Sequence, residues 1–399
     1  MIERQHQIIN KILEKEHSLL VLGPRGSGKT FYLSTLIEKL ERKRVINLLD
    51  TDQYRKYLTD PALLFKEIKK ELEKQNSVLF YVLIDEIQLL PSLMAEAHRV
   101  IDSYKGKIVF ILTGSSARKL KRNDTDLLAS RAISTKFFPL HSSEINFKEN
   151  LSKILRFGSL PEIYTVDDEW LMSQKLKTYV GTYLNEEIKK ETDVRNIEGF
   201  SLFLEYASAM NGEPVNFSKI AKAANISSPT AKEYFSILVD TLIATEVPAW
   251  THSVKERLQK SSKYYFFDNG VLNALSNETS SQPSESSYAY GRLFENLVIN
   301  EILRQNYLSQ ADLKPYYYRT THGTEIDLIL QKNPFTPPIA IEIKSSTKPE
   351  TTDVSTLIRF KQNYPDAQCY VFCRTETAYK DTGINFVNFI DGLNEVFSN

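Results

Sequence analysis

Cysteine is nearly absent: Cys369 and Cys373 are the only two thiols in 399 residues. That excludes a disulfide-stapled fold and fits a reducing compartment. No stretch approaches the roughly eighteen consecutive apolar residues that a membrane-crossing helix needs. The opening MIERQHQIINKILEKEH has neither an apolar core nor a small-residue cleavage site, so no secretory leader and a cytoplasmic setting are expected. An excess of one charge is missing too. Fifty Lys and Arg face fifty Asp and Glu, for a formal net charge of zero, which excludes a uniformly basic nucleic-acid coat but not local patches. The six histidines are scattered, and none pairs with Cys or Glu at metal-ligand spacing, so no zinc is expected. Cys369 and Cys373 lie four apart in one strand pattern, hence on one face, and read as core thiols.

What is present is ordinary globular material, 42% hydrophobic and 25% charged. At about 150 residues per domain the length predicts two to three domains. In residues 1–150 short apolar runs (SLLVLG, RVINLLD, VLFYVLID, KIVFILTG) alternate with amphipathic stretches. Each run stops at a polar residue or Gly, as buried parallel strands do, so repeated βα units are predicted. From about 151 to 250 helices dominate, WLMSQKLKTYVGTYLNEEIKKE reading as one long helix. The Ser-rich SNETSSQPSESS reads as a connection. It leads to a helix, GRLFENLVINEILRQ, and to strands YYYRT, EIDLIL, IAIEIKS and QCYVFC. No internal repeat is evident.

After the strand SLLVL comes Gly23-Pro24-Arg25-Gly26-Ser27-Gly28-Lys29-Thr30, then a helical stretch. This fills every fixed position of G-x-x-x-x-G-K-[ST] in its strand–loop–helix setting. Backbone N–H groups in such a loop curl around phosphates, and the following helix N-terminus adds favourable partial charge. Lys29 is placed to reach the β/γ-phosphates of ATP and Thr30 to ligate Mg²⁺. The strand VLFYVLIDEIQ ends in Asp85-Glu86. Asp85 suits the metal side of that Mg²⁺, and Glu86 suits activation of the attacking water. Thr113 and Ser115, at the end of KIVFILTGSS, are candidates to sense the γ-phosphate.

With these elements the chain resembles the AAA+ ATPases, in which an extra strand separates the phosphate loop from the Asp-Glu strand; RVINLLD supplies it. The resemblance implies a ring-like homo-oligomer, hexameric by expectation, in which an arginine completes a neighbour's site. Arg131 is the first candidate, Arg118 the second, and Arg156 a candidate second sensor.

Residues 215–267 read as helix, turn, helix and β-ribbon. VNFSKIAKAANI and SSPTAKEYFSILVDTLI can pack through Ile220, Ala221, Ala224, Ile237 and Leu238. Lys255, Arg257, Lys260 and Lys263 against Glu256 make the ribbon loop basic. This pattern fits a winged helix on DNA, its second helix in a groove and its wing on phosphate. The alternative is a protein-contact or structural module, since the second helix carries only Lys232 as a base.

In the last region Glu295 lies on a helix, Asp327 in EIDLIL, and Glu342 and Lys344 in IAIEIKSS. A period of two puts Glu342 and Lys344 on one face, and the turn-rich QKNPFTPP makes the strands a hairpin that brings Asp327 beside Glu342. Two carboxylates and a lysine suit metal-assisted phosphodiester hydrolysis, with Mg²⁺ on Asp327 and Glu342 and a water oriented by Lys344. This spacing, with Glu295 upstream as a further metal ligand, resembles the PD-(D/E)xK nuclease superfamily; the departure is Glu325-Ile326 where a Pro often precedes the Asp. The Tyr-rich 316–319 suits either base stacking or sheet packing.

Taken together, the chain resembles a prokaryotic ATPase family that joins an AAA+ module to a winged helix and a restriction-endonuclease-like domain. TGSSARKL, GSLPEIY, YLNEEI, KYYFFDNG and TEIDLI carry the likeness. The expected fold is α/β: a P-loop AAA+ parallel-sheet core over 1–150, a helical lid over 151–195, a winged helix over 196–270, and a nuclease-like domain over 271–399. The expected function is ATP hydrolysis coupled to remodelling or processing of branched or damaged DNA, as in DNA repair. Two alternatives stand beside it. One is an ATP-controlled switch whose C-terminal fold only binds DNA or protein; the other is an ATP-gated defence nuclease.

Overall fold

The computed structural model describes residues 2–74, 78–116, 118, 131–184, 196–251, 253–279, 283–320 and 322–397. The chain divides into two compact units, Met1–Leu140 with Asp240–Leu242, and His141–Val239 with Ile243–Asn399. Among the described residues no helix is long and apolar enough to cross a membrane. The whole is mixed α/β, with a five-stranded parallel sheet in the first unit and further helical and sheet regions in the second.

The first unit runs α1 (Gln7–Glu14), β1 (Ser18–Leu22), α2 (Lys29–Glu38), β2 (Lys43–Asn47), α3 (Thr51–Thr59), α4 (Leu63–Lys74), β3 (Phe80–Asp85), α5 (Ser92–Ser103), β4 (Ile108–Gly114) and β5 (Ala132–Lys136). All strands are parallel, in the order β2-β3-β4-β1-β5. Their alternate residues fill two cores. Leu20, Val82, Ile84, Phe110 and Leu112 pack on one face; Leu19, Val21, Leu83, Val109 and Ile111 pack on the other. Sheets covered on both faces need continuous apolar strands, and these strands have them.

RVINLLD is a strand as expected, but in space it does not lie between the phosphate-loop strand and the Asp-Glu strand. Fully buried β4 takes that place, while β2, with its sequence KRVIN, lies at the sheet edge. Charged side chains at Lys43 and Arg44 reach water only there. The C-terminal ends of β1, β3 and β4 therefore meet at the crevice where strand order reverses, the usual ligand position in open parallel sheets.

The second unit opens with α6 (Leu151–Phe157), α7 (Pro161–Tyr164), α8 (Glu169–Thr178), α9 (Ile197–Ala209), α10 (Phe217–Ala223) and α11 (Ser228–Asp240). The long helix expected from Trp170 onward is α8 followed by a wider π-helical turn, Tyr179–Leu184; the rest of that stretch lies outside the described residues. Ile220, Ala221, Ala224, Ile237 and Leu238 are buried as predicted. Strands β6 (Ala244–Val247) and β7 (Lys263–Phe266) form the antiparallel ribbon, joined through a short helix, α12 (Val254–Gln259), where a loop was expected.

After α13 (Asn269–Leu275) and α14 (Tyr288–Leu308) come β8 (Lys314–Arg319), β9 (Glu325–Gln331), β10 (Ile339–Ile343), α15 (Ser355–Asn363), β11 (Gln368–Cys373), β12 (Tyr379–Asp381), β13 (Ile384–Asn388) and α16 (Phe389–Phe397). They build a mixed sheet ordered β12-β13-β11-β10-β9-β8. β8, β9 and β10 are an antiparallel meander, while β10, β11 and β13 run parallel.

The GSLPEIY and FFDNG stretches interlock inside this unit. Asp268 caps α13 by accepting the Val271 N–H (3.1 Å) and also accepts the Ser159 N–H at 2.7 Å. Gly158, at φ +75°, could not carry a side chain there, since a Cβ would stand 2.0 Å from Asp268 Oδ1. A Cβ on Gly270 would likewise stand 2.1 Å from the Phe157 carbonyl oxygen. Gly270→Ala is therefore expected to cost about 1–3 kcal/mol, as overpacking does. Denaturant unfolding of the full chain should show this as a lower midpoint, and a midpoint equal to the parent's would mean that α6 and α13 do not meet so closely.

Candidate functional site

The phosphate loop is shaped by what surrounds it. A Cβ on Gly23 would meet the Phe137 carbonyl oxygen at 2.2 Å, so glycine alone fits. Gly28, at φ 90°, turns the chain into α2 through the left-handed region. Lys29 is buried and donates to the carbonyls of Gly23 (2.6 Å) and Pro24 (3.0 Å). Ser27 is fully buried, and among the described residues its hydroxyl has no partner, an arrangement that costs free energy unless a ligand completes it. Arg25 is exposed at the loop's crest, with Gly26 half-buried beside it.

Asp85 ends β3 and is 3% exposed. The Thr30 hydroxyl lies 3.1 Å from both of its oxygens, and the Thr113 hydroxyl donates to Oδ1. Thr113 also accepts the Glu86 N–H at 3.0 Å. Glu86 sits at φ 59°, ψ 46°, a conformation that costs a non-glycine residue on the order of 1 kcal/mol or more and that clusters at functional sites. Gln88, which has no signature in the sequence, holds Glu86 and Ser115 together: its amide nitrogen donates to Glu86 Oε2 and, at 2.9 Å, to Ser115 Oγ.

A second omission is Arg4. Its guanidinium donates to the carbonyls of Ser27 (2.5 Å) and Phe138 (2.8 Å) and stacks on Phe137, tying the N-terminal segment to the loop. A lone arginine ahead of α1 gives no sequence signal for this. Arg131 is exposed, its Nε 2.8 Å from Asp102 of α5; most of the DLLASRA run lies outside the described residues. Arg118 stands 3.6 Å from Asp240 within the same unit. Arg156, in the second unit, pairs with Glu169 at 2.6 Å.

The second unit carries a group of buried charges. Asp327 on β9 and Glu342 on β10 continue the register of Leu328 opposite Ile341 and so are cross-strand neighbours. Asp327 Oδ2 accepts the Ile343 N–H at 2.7 Å. Lys344 Nζ lies 2.8 Å from Glu342 Oε1, whereas Glu342 Oε2 is buried and has no partner among the described residues. Glu295 of α14 accepts the Tyr265 hydroxyl at 2.8 Å. Among the described residues no three Asp, Glu, His or Cys side chains are gathered as a metal-holding group. Glu295, Asp327 and Glu342 thus share one electrostatic neighbourhood without forming a ready ligand set.

Lys263 corrects the reading of the ribbon as a basic wing. It is no surface base but 3% exposed, on β7, with Nζ 2.9 Å from Glu325 Oε2. Arg257 is turned onto the Tyr316 ring, and Lys260 pairs with Glu256. The ribbon is also sewn to β8: Trp250 N–H donates to the Tyr317 carbonyl (2.6 Å), and the Tyr317 hydroxyl to the Ser261 carbonyl (2.6 Å). The Tyr-rich strand is sheet packing, with Tyr316 and Tyr317 buried.

Burial, and then the charge of Asp327, push Glu342 up to about 8 and Glu295 up to about 7; Lys344 opposes the first shift and Lys263 the second. Asp327 is raised by burial against the pull of Lys263 and Lys344. Burial alone would lower both lysines, but the surrounding carboxylates reverse this and hold them above their ordinary value.

Residues 15–146, most of the first unit, match the AAA domain family. Residues 148–282 match one domain of unknown function, DUF8612, and residues 290–390 another, DUF4143. An uncharacterized protein of Haemophilus influenzae is 23% identical over 389 residues, covering 91% of this chain and 92% of its own. The uncharacterized protein MJ1544 of Methanocaldococcus jannaschii is 24% identical over 366 residues, 82% of this chain and 76% of its own. Among solved structures, domain III of the Thermotoga maritima replication initiation protein DnaA matches at 15% identity and a TM-score of 0.27, over 56% of this chain and 92% of that one. Drosophila ORC bound to AT-rich DNA and Cdc6 matches at 10% identity and 0.25, over 69% and 90%. Scores this low carry no argument about function.

The raised carboxyl groups have a pH signature. Between its ordinary 4.5 and about 8 the folded protein keeps a proton on Glu342 that the unfolded chain releases, so this group's contribution to stability falls as pH rises through that window. Glu342→Gln should therefore flatten the decline in unfolding free energy between pH 5.5 and pH 8.5. An unchanged slope in denaturant titrations at the two pH values would show that Glu342 titrates normally.

Proposed function

We propose that the chain is an ATP-hydrolysing protein of AAA type whose turnover acts on DNA. The observation that carries the ATPase reading is the cradle at the ends of β1 and β3: a buried Ser27 hydroxyl with no partner among the described residues, in a glycine-shaped loop, with Thr30 and Asp85 side by side. These residues fit a nucleotide with its Mg²⁺. Gly23, Pro24, Arg25, Gly26, Ser27 and Gly28 would enclose the phosphates, and Lys29 would exchange the Gly23 and Pro24 carbonyls for phosphate oxygens. Thr30 and Asp85 would hold Mg²⁺, which when bound neutralises charge developing on the transferred phosphoryl group. Thr113 fixes the Asp85 carboxylate. Glu86 would orient the attacking water and accept its proton, held in place by Gln88, which also positions Ser115. Arg131, whose pair with exposed Asp102 costs little to break, would serve a neighbouring subunit's γ-phosphate in a homo-oligomer, hexameric by analogy with AAA+ rings.

The four-part division at 150, 195 and 270 is proposed on the same resemblance, as is the reading of residues 196–270 as a winged helix. Exposed Lys219, Lys222 and Lys232 on the two-helix pair support DNA contact there, a weaker patch than the ribbon promised. A second reading of the C-terminal site, phosphodiester cleavage with Mg²⁺ on Asp327, Glu342 and Glu295 beside Lys344, is favoured by the cross-strand placing of Asp327 and Glu342. Asp327 and Glu342 would hold the ion between the two strands, with Lys263 and Lys344 opposing the charge of Asp327. No catalytic step is assigned to them.

Lys29→Ala should abolish nucleotide binding, read with a fluorescent ATP analogue. Glu86→Gln should bind ATP but turn it over about 10²–10⁴-fold more slowly, the range for loss of a general base. Turnover by Glu86→Gln at the parent's rate would remove Glu86 from the mechanism. In the same phosphate-release assay, stimulation of the parent by forked or four-way DNA is expected, and indifference to every DNA would sink the DNA half of the proposal.

A further inference from the structure

We infer that a cavity in the second unit binds the phosphate group of a nucleotide on Arg374 and Lys148, with Glu285 standing in for that phosphate. The cavity measures about 550 Å³, a size that small ligands fill. Its place follows from the topology. Thr347, Arg374 and Asn388 line it from the carboxyl ends of the parallel strands β10, β11 and β13. Tyr290 and Phe389 line it from the first turns of α14 and α16. Carboxyl ends of parallel strands are where open sheets take ligands, and helix starts carry partial positive charge. Both features favour an anion.

Arg374 is the centre of the site. Its side chain is only 22% exposed, with the guanidinium 5.6 Å from the centre of the Tyr290 ring. Its backbone N–H is fixed on the Ser346 carbonyl at 3.1 Å. Nη1 donates to Glu285 Oε2 at 2.8 Å and Nη2 to Oε1 at 3.1 Å. This forked geometry is the one by which arginine grips a carboxylate or a phosphate. Glu285, however, is 64% exposed, and an ion pair with an exposed partner is worth little. A fixed arginine with a loosely held anion is a cation ready to take another. Lys148 repeats the pattern, its Nζ 3.1 Å from both oxygens of exposed Asp391. Two cations in one concavity suit a phosphate better than a lone carboxylate. Glu149 and Glu376 also line the cavity, but both are exposed, where water and salt screen them. A nucleic-acid strand and a free nucleotide both present such a phosphate. No residue of this site belongs to the phosphate loop or to the Asp327 group, so the inference does not depend on the proposed function.

The test uses the full chain and two probes, a short labelled oligothymidylate by fluorescence anisotropy and deoxycytidine monophosphate by isothermal titration. Glu285→Gln should bind at least one of them about tenfold more tightly than the parent, the scale of one charge-assisted hydrogen bond. A gain on the oligothymidylate assigns the phosphate to a strand, and a gain on the mononucleotide alone assigns it to a free nucleotide. Adding Arg374→Ala should abolish the gain, and adding Lys148→Ala should remove most of it. Glu376→Gln, the same change of charge in the same cavity, should gain far less. Parent-like affinity of Glu285→Gln for both probes, or a gain that survives Arg374→Ala, would overturn the inference. So would an equal gain in Glu376→Gln, which would mark a general effect of charge. Should the variant with Arg374→Ala not fold, the Lys148→Ala arm decides, because Lys148 is exposed; a gain left whole there would overturn the site. None of these substitutions touches the phosphate loop, so failure of this site would leave the proposed ATPase standing.

Discussion

Asp85 lies almost out of reach of water, where a lone carboxylate costs several kcal/mol. Hydroxyls from two other segments meet it, Thr30 at the start of α2 and Thr113 at the end of β4. The need to satisfy that one charge draws two strand ends and a helix start into a single cluster. The same need recurs in the second unit, where Asp268 is met by backbone N–H groups from two stretches far apart in sequence. Buried charge, more than apolar packing, dictates which loops stand beside which.

The two units answer the requirement differently. Around Asp85 the partners are neutral hydroxyls, which bring no counter-charge of their own. Asp327 instead accepts a backbone N–H and lies in the field of Lys263 and Lys344, which answers that charge within the protein. A site of the first kind is poised to exchange an internal bond for a ligand; a site of the second kind must first give up a partner.

Much of this was legible in advance because the signals were local. SLLVL and KIVFILTG are apolar throughout since both faces of β1 and β4 are covered, and the glycines of the phosphate loop mark turns other residues cannot make. The meander carrying Asp327 and Glu342 followed from period-two alternation and a Pro-rich turn. What stayed hidden depends on long-range partners. Lys263 in KSSKYYFF reads as a loop base, and only the fold reveals Glu325 beside it. Gln88 has no signature apart from lying near Glu86. The spatial place of β2 turns on competition among strands for the centre of the sheet, which no single run records. β13 and α16, at the end of the chain, were passed over, although INFVN is buried much as the other strands are.

Strand β7 belongs to one stretch of sequence and serves another. Its lysine and tyrosine complete an environment whose remaining members lie thirty to eighty residues downstream. The two C-terminal portions of this chain are therefore poor candidates for independent exchange in recombination. A graft that brought the carboxylates without their ribbon would inherit an unbalanced interior, and a ribbon moved alone would bury a cation with nothing to hold it.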